Sequence, residues 1–593
     1  MIIAEHGRSP WHIVMPHPAD ETTKHAADEL HDFLMKICGA SLPVQTELTD
    51  RTAHEILIGR SARLGSMETE EDWTGLGDEG FVIRAENERI LIAGNKPRGT
   101  LYGVYTLLED YFGCSWLSSG YSVIPKAERL ELPEIHRRES PAFESREAYW
   151  RDAFDGNYAV RNKMNSNKAD ISPVQGGHLK FHRFHHTFDE LVPVSRYFDE
   201  HPEYFSMVDG KRIREETQLC LTNPDVLALT ITKVKEWIRD NPDCNVFSVA
   251  QNDCYHPCAC PRCAAVDREE GSHAGTLIRF VNAVADAVRV DDPDVLIHTF
   301  AYQYTRKAPR LTKPRDNVIV RLCGIECCFS HPLDGSVSCE AIDPAEQHDH
   351  PQCASLGETG FIDDLKEWGK ITRHLYVWDY VTNFHHYLMP LPNLNVLQIN
   401  LCLFKNAGVK GILEQGDFAQ GSGGHMAELE AYLQSKLMWD PACDAEFHMQ
   451  RFIKGYYGEK AAPLIREYIR LWQEAGEKAH VSIFDAPDAP YVSDQLLEAS
   501  CDLLGQAIFM TEDSEQRGHT EKLALSMQYL ILARMPEDTP GRDALISAFG
   551  WRARMAGVAE LSERWCLEES LQEMRKTNKE NQKLRKIRCD YKM

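Results

Sequence analysis

Five short apolar runs rich in β-branched residues lie between positions 246 and 413, and each gives way to polar or acidic residues. Run 246–249 leads into Gln251, Asn252 and Asp253, and run 295–300 into Tyr302. Run 318–320 leads into Glu326, run 375–377 into Trp378, Asp379 and Tyr380, and run 409–413 into Glu414. Runs this short read as buried strands. Stretches with the 3.6-residue period separate most of them, the clearest being 276–290, with Leu277, Phe280, Val281, Val284 and Val288 on one face. Strands alternating with amphipathic helices predict βαβ units and a parallel sheet. In a (β/α)8 TIM-type barrel the strand ends converge on one rim, where carboxylates distant in sequence surround one pocket.

The flanks have a different texture. Residues 1–135 read as a small α/β accessory domain: strands at 11–14 and 55–58, a helix over 22–37 closed by Gly39, and a hairpin joining 81–84 to 89–93. A further helix follows Pro97 and ends at Gly113. Prolines at 125 and 133 mark the boundary to an α/β barrel over 136–425, whose first strand is expected at 143–150 and second within 179–188. From 426 to 593 the apolar period is helical throughout, predicting a helical C-terminal domain with a basic, frayed end from Arg575.

The chain has 593 residues, 43% hydrophobic and 26% charged, which suits globular domains rather than disorder. A formal charge of -25 disfavours nucleic acid or an anionic membrane as a partner, while neutral glycans remain compatible. The N-terminus has no charged segment followed by an apolar one, so a cytoplasmic location is expected. Eighteen cysteines in so long a chain read mostly as buried thiols. Oligomeric state is not legible.

Glycosidic cleavage requires one carboxylic acid to protonate the leaving oxygen and a second group to attack or stabilise the opposite face of the sugar. Glu414, Asp379, Glu326 and Asp253 are the candidates, because each follows an apolar run and is expected to be partly desolvated. Glu414 ranks first as acid, between Gly411 and Gly416. Asp379 ranks second, because Trp378 and Tyr380 offer a stacking platform. Alternation lets all three face one sugar only if the strand ends near Val377. Asn252 reads as a sugar-hydroxyl clamp or as a loop staple, and Tyr302 and His186 as further substrate contacts. No cofactor is expected for catalysis. Cys254, Cys258, Cys260 and Cys263 form a compact thiol cluster that reads as a structural zinc site, free thiols or a disulfide. The close spacing of the four suggests that a distant ligand replaces Cys254, with Cys327, Cys328 or His331 as candidates.

Six stretches carry two resemblances. Residues 93–116, Ala-Gly-Asn-Lys-Pro-Arg-Gly through Gly-Cys-Ser-Trp, resemble the accessory domain that precedes the barrel in α-glucuronidases and β-hexosaminidases. His201-Pro-Glu-Tyr-Phe205, the 248–253 run with the cysteines after it, 325–331, Trp378-Asp-Tyr380 and 437–441 resemble the bacterial domain of unknown function 4838, parts of which are classed as glycoside hydrolase family 163. The resemblance implies a barrel acting on β-linked N-acetylglucosamine in oligosaccharides, with Asp379 or Glu326 polarising the substrate acetamide if catalysis is substrate-assisted. An α-glucuronidase-like enzyme would instead use Arg146, Arg151 or Arg321 to hold a sugar carboxylate. A catalytically silent glycan-binding protein is the reading from another class.

Overall fold

The computed structural model of the chain describes residues 1–67, 69–336, 360–418, 421 and 423–576. The basic end from 577 onward lies outside the described residues. The chain forms two compact units, Met1–His178 with Glu428–Ala462, and Leu179–Ala427 with Pro463–Met593. The helical stretch expected from 426 onward is therefore shared between them.

The first unit is built on a six-stranded sheet in the order Ile135–Glu139, Phe81–Glu86, Arg89–Gly94, Glu55–Ile58, His12–Met15, Val44–Thr46. Its hairpin turns at Asn87 and Glu88, both with positive φ (48° and 57°), which matches the right-handed twist of the flanking strands. Helix Glu21–Cys38 starts where the Asp20 carboxylate accepts from Thr23 N and stops at Gly39, whose φ of 70° is left-handed. Helix Pro97–Thr106 lies against the sheet through Gly103, where a Cβ would come within 2.7 Å of Ile92. Helices Ala427–Trp439 and Ala445–Tyr457 complete this unit. Trp439 stacks on Phe81 at 5.9 Å, and Lys436 forms a buried ion pair with Glu109 at 2.7 Å. The expected barrel-opening strand forms as Ser145–Tyr149 and falls in this unit.

The second unit holds the parallel strands of the TIM-type barrel. Phe181–His182, Val246–Ser248, Leu296–Ala301, Val318–Cys323, His374–Tyr380 and Gly411–Gln415 pair in sequence order, every ladder parallel. Helices Pro261–Glu270, His273–Arg289, Phe361–Ile371 and Leu397–Asn406 make crossovers, the geometry that parallel strands require. The 273–289 helix buries the five apolar residues expected from its period. Four long helices, Ala462–Gly476, Asp494–Met510, Ser514–Arg534 and Arg542–Met555, follow the barrel. No helix among the described residues is long and apolar enough to cross a membrane.

Candidate active site

At the C-terminal strand ends the two-residue period decides which side chains share a face. Register pairs Trp378 with Leu413, Asp379 with Glu414 and Tyr380 with Gln415. The strand therefore continues three residues beyond Val377, correcting the expected break. Trp378 and Tyr380 share one face with Gln415, whose Oε1 accepts from Trp378 Nε1 at 2.7 Å. Asp379 and Glu414 are cross-strand neighbours on the other face.

The Trp378 face is aromatic. Phe184 stacks on Trp378 at 5.8 Å and 15°, Phe300 meets it edge-on at 5.7 Å, and Tyr380 lies 6.5 Å away. Beneath, the buried Arg321 guanidinium lies 5.4 to 5.7 Å from the rings of Phe181, Tyr376 and Trp378. Phe181 comes from the first of these strands and Trp378 from the fifth, so this face is the concave interior of the sheet. Glu414 and Asp379 project the opposite way and are almost wholly buried. That placement argues against Glu414 as the acid ranked first from its glycine-flanked turn.

Two other carboxylates border the aromatic face. Asp253, on the loop after Val246–Ser248, has a side chain 63% exposed, accepts from Tyr302 Oη at 3.1 Å and lies 3.8 Å from His186 Nε2. His186 Nδ1 is 2.6 Å from the Gln251 carbonyl, which can only accept, so Nδ1 carries the proton. Glu326, after Val318–Cys323, is only 13% exposed and lies 3.3 Å from Arg306, which is itself 2.8 Å from Asp364. Burial pushes the Glu326 carboxyl above its usual range, and Arg306 pulls it only part of the way back. Burial first, then the charge of Asp253, raises the Tyr302 phenol well above its usual value.

Gln251 and Asn252 make their hydrogen bonds within the protein. Gln251 is fully buried, donating to the Tyr302 carbonyl at 3.1 Å and accepting from Thr305 at 2.6 Å. Asn252 is the staple rather than the clamp: its Oδ1 accepts from Asp189 N at 3.1 Å and its Nδ2 donates to the Thr217 carbonyl at 2.9 Å. Gln218, which the sequence did not single out, brackets the loop by accepting from Asn252 N and donating to the carbonyls of Asn252 and Cys254. Arg306, Phe184, Phe300 and Gln415 were also missed. Phe300 and Gln415 stand in the stretches 295–300 and 411–416 already read as strand ends, whereas only the fold brings Arg306 and Phe184 there.

The buried Asp379 gives a direct readout. Burial raises its carboxyl to about 6, with the Tyr380 N–H pulling back. A carboxyl raised on folding contributes stability below its unfolded value, and that contribution is lost as pH rises through the folded value. Asp379→Asn should therefore lose less stability than the parent between pH 5 and 7.5, by roughly 1–3 kcal/mol. Parallel melting-temperature profiles for the two proteins would remove this account.

The fold and the rim define a TIM-type barrel protein with carboxylates at its strand ends. The chain belongs to the family described as Domain of unknown function (DUF4838), whose model matches residues 116–470. Residues 4–107 match the glycosyl hydrolase family 67 N-terminus. Both parts of the resemblance read from the sequence are thus met. No curated protein matches the chain. Among solved structures, a family GH115 4-O-methyl-α-glucuronidase, BtGH115A, with specificity for decorated arabinogalactans, is similar over 95% of this chain and 78% of its own, at TM-score 0.58 and 11% identity. That likeness is one of fold. CpGH84B aligns over 95% of this chain and 94% of its own at TM-score 0.46 and 13% identity. The Streptomyces plicatus N-acetyl-β-hexosaminidase covers 74% of this chain and 89% of its own at TM-score 0.42 and 12% identity.

Proposed function

We propose that the protein is a glycoside hydrolase acting on β-linked N-acetylglucosamine in oligosaccharides, with Glu326 as general acid and Asp253 as its counterpart. The carrying observation is the contrast between two carboxylates that follow strands of one sheet, Glu326 desolvated and Asp253 open to water. Environments that differ in this way separate proton donor from anion, the division of labour that glycosidic cleavage needs. Glu326, its carboxyl raised by burial, delivers its proton to the leaving oxygen. Asp253 and the Tyr302 hydroxyl form an acceptor and a donor 3.1 Å apart, a pair suited to an acetamide N–H and carbonyl. Trp378 and its aromatic neighbours serve as the platform for the sugar ring.

Of the three arginines considered for holding a uronic acid, Arg146 and Arg321 are buried. Arg146 is fully buried and ion-paired with Glu79 at 2.6 Å, and it donates to the carbonyls of Lys163 and Phe143. Arg321 is enclosed beneath rings, whereas Arg151 is exposed and lies over Phe154 at 5.9 Å. Arg306 is held by Asp364 and Glu326.

Chromogenic glycosides test the reading. The β-N-acetylglucosaminide should be hydrolysed and the α-glucuronide should not. Cleavage of the glucuronide alone overturns the substrate class. Saturable glycan binding with no hydrolysis of any glycoside in the panel overturns the enzyme reading in favour of a binding protein.

A further inference from the structure

Four cysteine thiols of the second unit meet away from the aromatic face. Cys258, Cys260 and Cys263 lie on the turn into helix Pro261–Glu270, and Cys220 comes from a segment 40 residues before Cys260. All four are buried and none is in a disulfide. Their sulfurs all lie within 4.8 Å of one another, with Cys220 Sγ 3.7 Å from Cys260 Sγ and 3.9 Å from Cys263 Sγ. A tetrahedral ion with metal–sulfur bonds of about 2.3 Å requires sulfurs about 3.8 Å apart, whereas a disulfide requires about 2.05 Å. The separations fit the first and exclude the second.

The surroundings suit thiolate charge. Met207 N and an Arg212 guanidinium nitrogen each point at Cys258 Sγ from 3.4 Å, and Thr222 Oγ1 lies 3.2 Å from Cys263 Sγ. Donors of this kind hold ligating sulfurs in place and offset the negative charge of a four-thiolate site. Cys254, counted with the cluster from its spacing, is not a member. Its sulfur accepts from Gln218 Nε2 at 3.3 Å and faces the Thr217 carbonyl at 3.6 Å. The distant fourth ligand is Cys220, not Cys327, Cys328 or His331.

We propose that Cys220, Cys258, Cys260 and Cys263 bind one structural zinc ion, which ties the Gln218–Cys220 segment to the loop that carries Asp253. With four protein ligands the shell is closed, so the ion has no open position for chemistry. Its consequence is positional. Gln218 stands two residues before the ligand Cys220 and holds the backbone of Asn252 and Cys254 on either side of Asp253. The ligand set stands independently of the glycosidase reading; only the consequence for catalysis through Asp253 rests on it.

Metal analysis of full-length protein purified without added metal or chelating resin should give about one zinc per chain. Zinc-edge X-ray absorption should show four sulfurs near 2.3 Å. Cys254→Ser should keep the ion, and Cys220→Ser should reduce zinc content at least tenfold. Removing zinc with a chelator should speed hydrogen exchange over 251–263 while helix His273–Arg289 stays protected, a readout that needs no activity. If Cys220→Ser does not fold, the absorption spectrum of the parent and the Cys254→Ser content still decide. Metal-free folded protein with four titratable thiols, iron in place of zinc, or loss of the ion in Cys254→Ser would each overturn the proposal. Zinc with unchanged exchange on its removal would overturn the positional role.

Discussion

Glu326→Gln should lower kcat by two to four orders of magnitude with little change in melting temperature, because the amide keeps the side-chain shape and removes the proton to be delivered. The size of the effect follows from the role. A general acid acts on charge developing at the leaving oxygen, so its loss appears in kcat more than in KM. The role also fixes a pH dependence. Burial raises the Glu326 carboxyl and Arg306 lowers it, so activity should fall as pH rises through the Glu326 value. Arg306→Met removes the lowering influence and should move that alkaline limb to higher pH. An inert structural acid would show neither effect. Full turnover in Glu326→Gln, or an alkaline limb that ignores Arg306, would return the assignment to the other carboxylates.

The elements were legible where one physical signal dominated. The five apolar runs became strands because both their faces are buried, which makes each nearly continuous in hydrophobicity. The helix at 273–289 and the N-terminal hairpin were legible for equally local reasons, a 3.6-residue period and polar turn residues within 85–88, of which the structure leaves only Asn87 and Glu88 in the turn. Strand ends were less legible. Trp378-Asp379-Tyr380 reads as a functional break because its residues are polar or aromatic, yet the ladder continues through it. That three-residue extension decides which side chains share a face, so the ranking of Glu414 and Asp379 moved with it. Pairing across long separations left no trace. Cys254 is nearer in sequence to the thiol cluster than Cys220, but Gln218 binds it elsewhere, and only the fold brings Cys220 in. Likewise nothing local marks Arg306 as the partner that tempers Glu326.

The largest loss of stability is expected from Lys436→Met. Lys436 is a buried cation of the first unit, 2.7 Å from Glu109 Oε1 and 3.0 Å from Asn162 Oδ1. It stands on helix Ala427–Trp439, which also supplies Trp439 against Phe81 and Tyr102. Burial alone would push the Glu109 carboxyl up. Lys436, Arg451 and Lys163 outweigh it and leave the value at about 2. Methionine fills the volume of the lysine stem but leaves that carboxylate buried without its nearest cation. Breaking a buried pair from one side costs about 3–5 kcal/mol. In a unit of this size such a loss lowers the melting temperature by on the order of 10 °C. The loss should be pH-dependent. A carboxyl depressed on folding contributes stability above its unfolded value, and that contribution disappears as pH falls through the folded value. The difference between parent and Lys436→Met should therefore be largest near neutrality and shrink below about pH 4. Adding Glu109→Gln to Lys436→Met removes the stranded charge and should recover a large part of the loss. If the double variant is as unstable as the sum of the two single changes, the pair is not coupled, and packing around Trp439 is what secures the helix.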